Sequence, residues 1–434
     1  MCEGRRMPRS PTLRRYAISL VYLGVFLACW LLRAVDLPLY LALTAIPDGV
    51  RKAVPFVDLG AILQAGACWR QGVNVYLPSA CLGGGVYNYA PLLLRAAYLP
   101  IGPADTALGG VLLALGFCAA LARLPVPASR GELRLRLAAT VSTTSFYALE
   151  QGNLDAAIFI AAALALPWLL LGPRRRFGAY AVFLLAAGAK FYPAALLFLA
   201  LRERLKLFLA LVALSGGAAA LYLLRFGHAT ATAIRIVPSS TPFRATFGQI
   251  DLPRGFNWLH ILTATRLNQF FGAHVFSSGA QVVALASWLL CGGALGWSLW
   301  LARRYAGWEK TIDPARLVFL LGGAALLVLC FFAAQNVYYR AIFLLFTLPG
   351  LYALAARLPR LFLPAIVLLL WEAPVRALLG VLSPALQTGF WLLREALWWW
   401  VIIHLAALLL AFAYTALQRL YGALREIDAR AGKP

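Results

Sequence analysis

The run YAISLVYLGVFLACWLL at residues 16–32 carries no charged side chain and is bracketed by Arg14, Arg15 and Arg33. At about 1.5 Å of rise per residue, a helix of this length covers most of a hydrocarbon core about 30 Å thick, which leaves the arginines at the two surfaces. Predominantly apolar runs recur at residues 154–171, 207–224 and 317–334. Of the 434 residues, 62% are hydrophobic and 13% charged, with a mean hydropathy of +0.78. Soluble domains are about half apolar and a quarter charged. A water-soluble globule is therefore excluded, and the expected fold is an all-α polytopic integral membrane protein forming one domain over residues 1–434.

The first apolar run follows Arg5, Arg6, Arg9, Arg14 and Arg15, as in a signal peptide. No small-x-small cleavage pattern follows Leu32, so the segment reads as an uncleaved anchor. The net charge of +23 does not indicate nucleic acid, because the arginines fall in short clusters between apolar runs and build no continuous basic face. Placing the clusters at 123–136, 174–176, 202–206, 303–316, 357–360 and 419–433 in the cytoplasm satisfies the positive-inside rule at each turn. That arrangement predicts cytoplasmic termini and about twelve membrane helices.

The same arrangement leaves two long outward loops, at about 34–103 and 225–278, and a shorter one at 371–390. Residues 137–149, 178–190 and 193–201 are too short to cross alone. Such segments stop beside a water-filled cavity, where protein or water satisfies their ends. Within the loops, residues 58–72 and 256–272 have the apolar and polar alternation of amphipathic helices lying in the membrane interface. No internal repeat is visible. Of the seven cysteines, only Cys68 and Cys81 share an outer loop, and the sequence favours two free thiols over a disulfide between them. The four histidines lack ligand spacing, so no metal site is expected.

Cations gather on the outer side, where they are disfavoured, and an anionic ligand gives them a purpose. A lipid phosphate is one such ligand. Glycosyl transfer from a polyprenyl phosphate needs a carboxylate to take a proton from the acceptor hydroxyl and cations to stabilise the departing phosphate. Asp58, opening the helix at 58–72, is the candidate base; its alternative role is an N-cap worth about 1 kcal/mol. Glu150, Gln151, Asn153 and Asp155 form a polar cluster at membrane depth, either a site or a satisfied interhelical turn. Lys190 either meets a phosphate or pairs with Glu150. In the second loop Arg235, Arg244, Arg254 and Arg266 lie among Phe243, Phe247, Phe256 and Trp258. Each suits phosphate through its planar fork, or binds lipid headgroups instead. Arg340, in Asn336-Val337-Tyr338-Tyr339-Arg340 after a long apolar run, needs an anionic partner. His260 is the one histidine near enough to the site to matter. The tryptophans Trp398 to Trp400 read as an interfacial belt.

At these residues the chain resembles the bacterial glycosyltransferases of family 87, polyprenol-phosphate-mannose-dependent enzymes of the GT-C superfamily. The resemblance rests on the order of Asp58, Gly72-Val73-Asn74-Val75-Tyr76, Tyr89-Ala90-Pro91, Gln151-Gly152-Asn153 and Lys190-Phe191-Tyr192-Pro193, and covers residues 56–206. Where the family often has Gly-Gln-x-Asn, this chain has Glu150-Gln151-Gly152-Asn153. The resemblance implies a GT-C fold in a bacterial plasma membrane, with the site on the extracytoplasmic face. It also implies inverting transfer of a hexose such as mannose, without cofactor, from a polyprenyl-phosphate donor to a glycolipid or envelope glycan, Asp58 serving as base. Lys190, Arg244, Arg254, Arg266 and Arg340 are then candidates for the donor phosphate. Tyr76, Tyr89, Glu150, Gln151, Asn153, Trp258 and His260 are candidates for sugar or acceptor. The rival classes are a lipid-linked sugar flippase or small-molecule transporter, which would string ionisable groups through the membrane, and a non-catalytic scaffold.

Overall fold

The computed structural model describes residues 11–44, 55–237 and 245–431. The chain is helical almost throughout. In order, its helices are α1 (Pro11–Val35), α2 (Leu37–Thr44), α3 (Val57–Arg70), α4 (Thr106–Leu121), α5 (Arg130–Thr140), α6 (Thr143–Glu150), α7 (Leu154–Ala165), α8 (Pro173–Ala189) and α9 (Leu205–Arg235). There follow α10 (Asp251–Trp258), α11 (Ala264–Phe271), α12 (Gly279–Arg304), α13 (Pro314–Ala333), α14 (Leu344–Ala353), α15 (Phe362–Leu370), α16 (Glu372–Leu382) and α17 (Pro384–Ala431). A two-residue strand, β1 (Thr246–Phe247), pairs antiparallel with β2 (Asn336–Val337).

Among the described residues six helices are long and apolar enough to cross a membrane, or eight when the bent pairs α6–α7 and α15–α16 each count as one span. This is fewer than the expected twelve. The apolar signal there is genuine, but its segments are broken. Tyr192–Arg202 is a tight 3₁₀ stretch of 11 residues, and α14 has 10; at 1.5–2.0 Å per residue each covers about 15–22 Å, less than the bilayer core. The α6–α7 pair bends by 109°.

Helix α13 is the central element, with most of its span buried, and it packs on α14, α17 and the 192–202 stretch. A Cβ at Gly323 would lie 2.8 Å from Phe346 Cβ and 2.9 Å from the Phe343 carbonyl, so only glycine permits α13 to approach α14 this closely. Small residues at helix contacts are the expected means of association where lipid removes the hydrophobic drive between helices. Helix α9 has almost no buried surface and displays Leu221 and Leu224 outward, which is stable only against an apolar medium. Part of the basic inventory is structural. Arg136 and Arg316 both bond buried Glu132, and Arg316 also donates to the Pro349 carbonyl, tying α5, α13 and α14 together.

The stretches expected as loop helices at 58–72 and 256–272 are helical, with corrected boundaries. Helix α3 begins at Val57, and its N-cap residue is Phe56, with no side-chain cap, so Asp58 is not the N-cap. The expected 256–272 helix is two, α10 and α11, because Thr263 caps a new start by accepting from the Arg266 amide, and Gly272 at φ +63° ends it. Cys68 and Cys81 form a disulfide, with Cα atoms 6.0 Å apart, contrary to the expectation of free thiols. The loop after α3 doubles back, and Gln64 Nε2 donates to the Cys81 carbonyl at 3.0 Å. A separation of 13 residues carries no sign of that return.

Candidate functional site

The break between α6 and α7 falls at Gln151-Gly152-Asn153. Gly152 has φ +60°, a conformation L side chains rarely adopt, and a Cβ there would sit 3.0 Å from Phe56 Cβ and 3.1 Å from Leu59 Cβ. Glycine thus lets the turn nest under the start of α3. Two backbone bonds join them: Phe56 N–H donates to the Glu150 carbonyl at 2.7 Å and Asp58 N–H to the Gln151 carbonyl at 2.8 Å. Phe56 is itself left-handed at φ +61°, buried, and stacked on Trp30 at 5.2 Å. A bulky residue at positive φ persists only when its surroundings over-determine it, at a cost of roughly 1–3 kcal/mol. These contacts fix where Asp58 stands.

Asn153 caps α7 and uses its whole hydrogen-bonding capacity inside the protein. Its Oδ1 accepts from the Asp155 amide at 2.9 Å and from Lys190 Nζ at 3.2 Å; its Nδ2 donates to Asp58 Oδ2 at 2.5 Å and to Tyr339 Oη at 2.8 Å. A carboxamide has two donor hydrogens and two acceptor lone pairs, so none remains for a ligand. Asn153 positions its neighbours.

Beneath it Asp155, with no exposed surface, collects cations. Lys190 Nζ lies 2.5 Å from Oδ1 and Arg340 Nε 3.1 Å from Oδ2, while Tyr192 Oη donates to Oδ1 at 2.7 Å. Arg340 also donates to Asn336 Oδ1. The ammonium of Lys190 stands 5.6 Å from the Tyr89 ring centre, and the Arg340 guanidinium 5.3 Å from that of Tyr192. Burial pushes the Lys190 amine below its ordinary value, against the pull of Asp155. Burial alone, the largest single influence, would lower Arg340 too, but Asp155 together with Cys330, Tyr339 and Tyr192 outweighs it and holds the guanidinium above its ordinary value. One carboxylate between two cations leaves this group with one net positive charge, and Asp58 is the next anion.

Asp58 opens onto a cavity of about 300 Å³, lined also by Gln64, Tyr87, Asn88, Tyr89 and Tyr339. One wall is the stretch from Leu82 to Tyr89, which directly follows Cys81 of the disulfide. Burial, then the charge of Asp58, pushes the phenols of Tyr89 and Tyr339 well above their ordinary value. They face the cavity as neutral hydroxyls. The lining combines one carboxylate, two amides and three tyrosines, with no cation.

The candidates therefore separate. Asp58, Tyr89, Asn153, Lys190 and Arg340 share one constellation. Tyr76 stands one ring further out, 5.7 Å from Tyr87, and its phenol is pushed up to about 12, chiefly by burial. Glu150 pairs with Arg33 at 3.6 Å, not with Lys190, and Gln151 is buried with its backbone carbonyl spent on Asp58. Arg254 donates to Gln335 at 3.4 Å, while Arg340 bonds the next residue, Asn336, and Asp155. Trp258 at the end of α10, His260 in the turn after it and Arg266 on α11 are exposed and do not line the cavity. Arg244 lies outside the described residues. Tyr192 and Tyr339 were not among the candidates although both sit inside quoted motifs; their hydroxyls are drawn in by Asp155 and Asn153, contacts that sequence order does not reveal. Among the described residues no group of three or more His, Cys, Asp or Glu side chains could hold a metal ion. Comparison with protein-family models, curated proteins and solved structures gives no match.

Proposed function

We propose that this protein is a membrane glycosyltransferase of GT-C type that moves a hexose from a polyprenyl-phosphate carrier to a hydroxyl of a glycolipid or envelope glycan at the extracytoplasmic face. The observation that carries this reading is Asp58: a carboxylate at a hollow, held by an amide that also binds Lys190. In the proposed step the acceptor hydroxyl enters the cavity and its proton passes to Asp58 while its oxygen attacks the anomeric carbon. The bond from that carbon to the phosphate oxygen breaks, and the electron pair leaves with the phosphate. Lys190 and Arg340, with their net positive charge, stabilise that phosphate, which is already anionic and needs no general acid. Attack from the face opposite the phosphate inverts the anomeric configuration. The cation-free, hydroxyl-rich lining suits an uncharged sugar as acceptor, and the cations behind Tyr89 suit the donor.

The test is transfer in vesicles supplied with a radiolabelled prenyl-phosphate hexose and envelope glycolipids. Asp58→Asn should purify and unfold like wild type and lose transfer by about 1,000-fold or more, the upper reach of a general base and its associated positioning. Undiminished transfer by Asp58→Asn would overturn the assignment.

A further inference from the structure

At the opposite end of the molecule from Asp58, the start of α1 and the end of α4 frame a groove of about 310 Å³. Arg15 and Arg123 line it at one end, both exposed, and Tyr16, Leu20, Leu23, Ala119 and Ala122 form its walls. On α1 the positions 16, 19, 20 and 23 lie three or four residues apart and so share one helix face. From Arg15 to Leu23 that face descends about 12 Å. Within it sits Ser19, a groove-lining residue 7% exposed, whose Oγ is buried and has no hydrogen-bond partner among the described residues. A buried hydroxyl without a partner is destabilising, and an acceptor atom supplied from outside would relieve it.

We propose that this groove binds one anionic glycerophospholipid. The spacing assigns each part. The phosphate meets Arg15 and Arg123, as basic pockets between membrane helices meet lipid headgroups. One helical turn deeper, about 6 Å, the Ser19 hydroxyl donates to an ester carbonyl of the glycerol backbone. The acyl chain then lies along Leu20 and Leu23, with Ala119 and Ala122 leaving it room. A polyprenyl phosphate offers the same charge but no ester carbonyl, so Ser19 discriminates between the two lipids. This site does not depend on the glycosyl-transfer reading and is separate from the Asp58 cavity.

The test is native mass spectrometry of the full chain released from non-ionic detergent with added phosphatidylglycerol. Wild type should retain one lipid. Arg15→Gln/Arg123→Gln should retain it at least about tenfold less, and phosphatidylcholine of the same chains should bind wild type about tenfold less, from the loss of attraction between two basic side chains and the anionic headgroup. Ser19→Ala should weaken the diester lipid and leave its diether analogue unchanged. Ala119→Trp, which fills an exposed part of the groove without altering charge, should abolish retention and keeps the test decisive should the double arginine variant fail to fold. Equal retention by the arginine or tryptophan variants, or preference for a polyprenyl phosphate over phosphatidylglycerol, would overturn the proposal.

Discussion

The carboxamide of Asn153 donates to the Asp58 carboxylate at 2.5 Å while its oxygen accepts from Lys190 at 3.2 Å. A single side chain thus sets the distance between the proposed base and the proposed phosphate cation. Asn153→Ala should keep the fold and lower transfer by about 100-fold, the effect of misplacing a reacting group by about 1 Å. Asn153→Asp should be as inactive, since it sets a second carboxylate against Asp58. Transfer measured beside thermal unfolding in detergent separates the two effects. Activity within a factor of a few of wild type in Asn153→Ala would remove its positioning role.

Asp155 has no exposed surface and holds both Lys190 and Arg340. Removing one partner of a buried ion pair costs about 3–5 kcal/mol, because the charge left behind stays desolvated. Asp155→Asn is therefore expected to lower stability by that order, and more than Lys190→Met, which leaves Asp155 still paired with Arg340. The comparison is read from chemical unfolding of the two variants in the same micelle.

The Cys68–Cys81 disulfide closes a loop with 13 residues of separation and anchors the stretch from Leu82 to Tyr89 that walls the Asp58 cavity. A loop of this size is worth about 3 kcal/mol in the chain-entropy account. Cys68→Ser, or wild type treated with reductant, should lose about that much stability and bind acceptor more weakly, with donor binding little changed. Equal unfolding midpoints with and without reductant would show that the wall stands unaided.

Burial holds the Lys190 amine below its ordinary value of 10.5. A depressed value means the folded chain binds this proton less tightly than the unfolded chain. Burial of the charged lysine is therefore a cost that is present at neutral pH and disappears as pH rises through the lowered value toward 10.5. The ammonium is lost over that same window, and the proposed phosphate contact with it. Donor affinity should accordingly fall as pH rises, at values below those at which an ordinary lysine titrates. Lys190→Arg, whose charge persists, should flatten that limb even if its affinity at neutral pH is lower. A profile identical in the two proteins would exclude Lys190 from donor binding.

The order of motifs in residues 56–206 brought Asp58, Asn153, Lys190 and Tyr89 to notice, and the structure places them in one constellation. The pairing among them was not legible. Lys190 lies 35 residues from Asp155 and Arg340 lies 185 from it, and nothing in spacing says that both cations meet Asp155 while Glu150 turns to Arg33. Arg254 and Arg266 were candidates for the same phosphate as Arg340. One follows α10 to Gln335 and the other stays exposed on α11, because helix facing is set by packing that a single strand of letters does not contain.

By itself the sequence determined the medium in which this chain folds. Apolar runs too hydrophobic for water, with arginines confined to their ends, leave an all-helical membrane protein as the one arrangement that satisfies its backbone. The tertiary structure decided which of those runs form helices long enough to cross, where they break, and which charges neutralise which. Hydropathy is a sum over neighbours in sequence. The break at Gly152, the disulfide and the Asp155 cation cluster each depend on atoms that only folding brings within about 3 Å of one another.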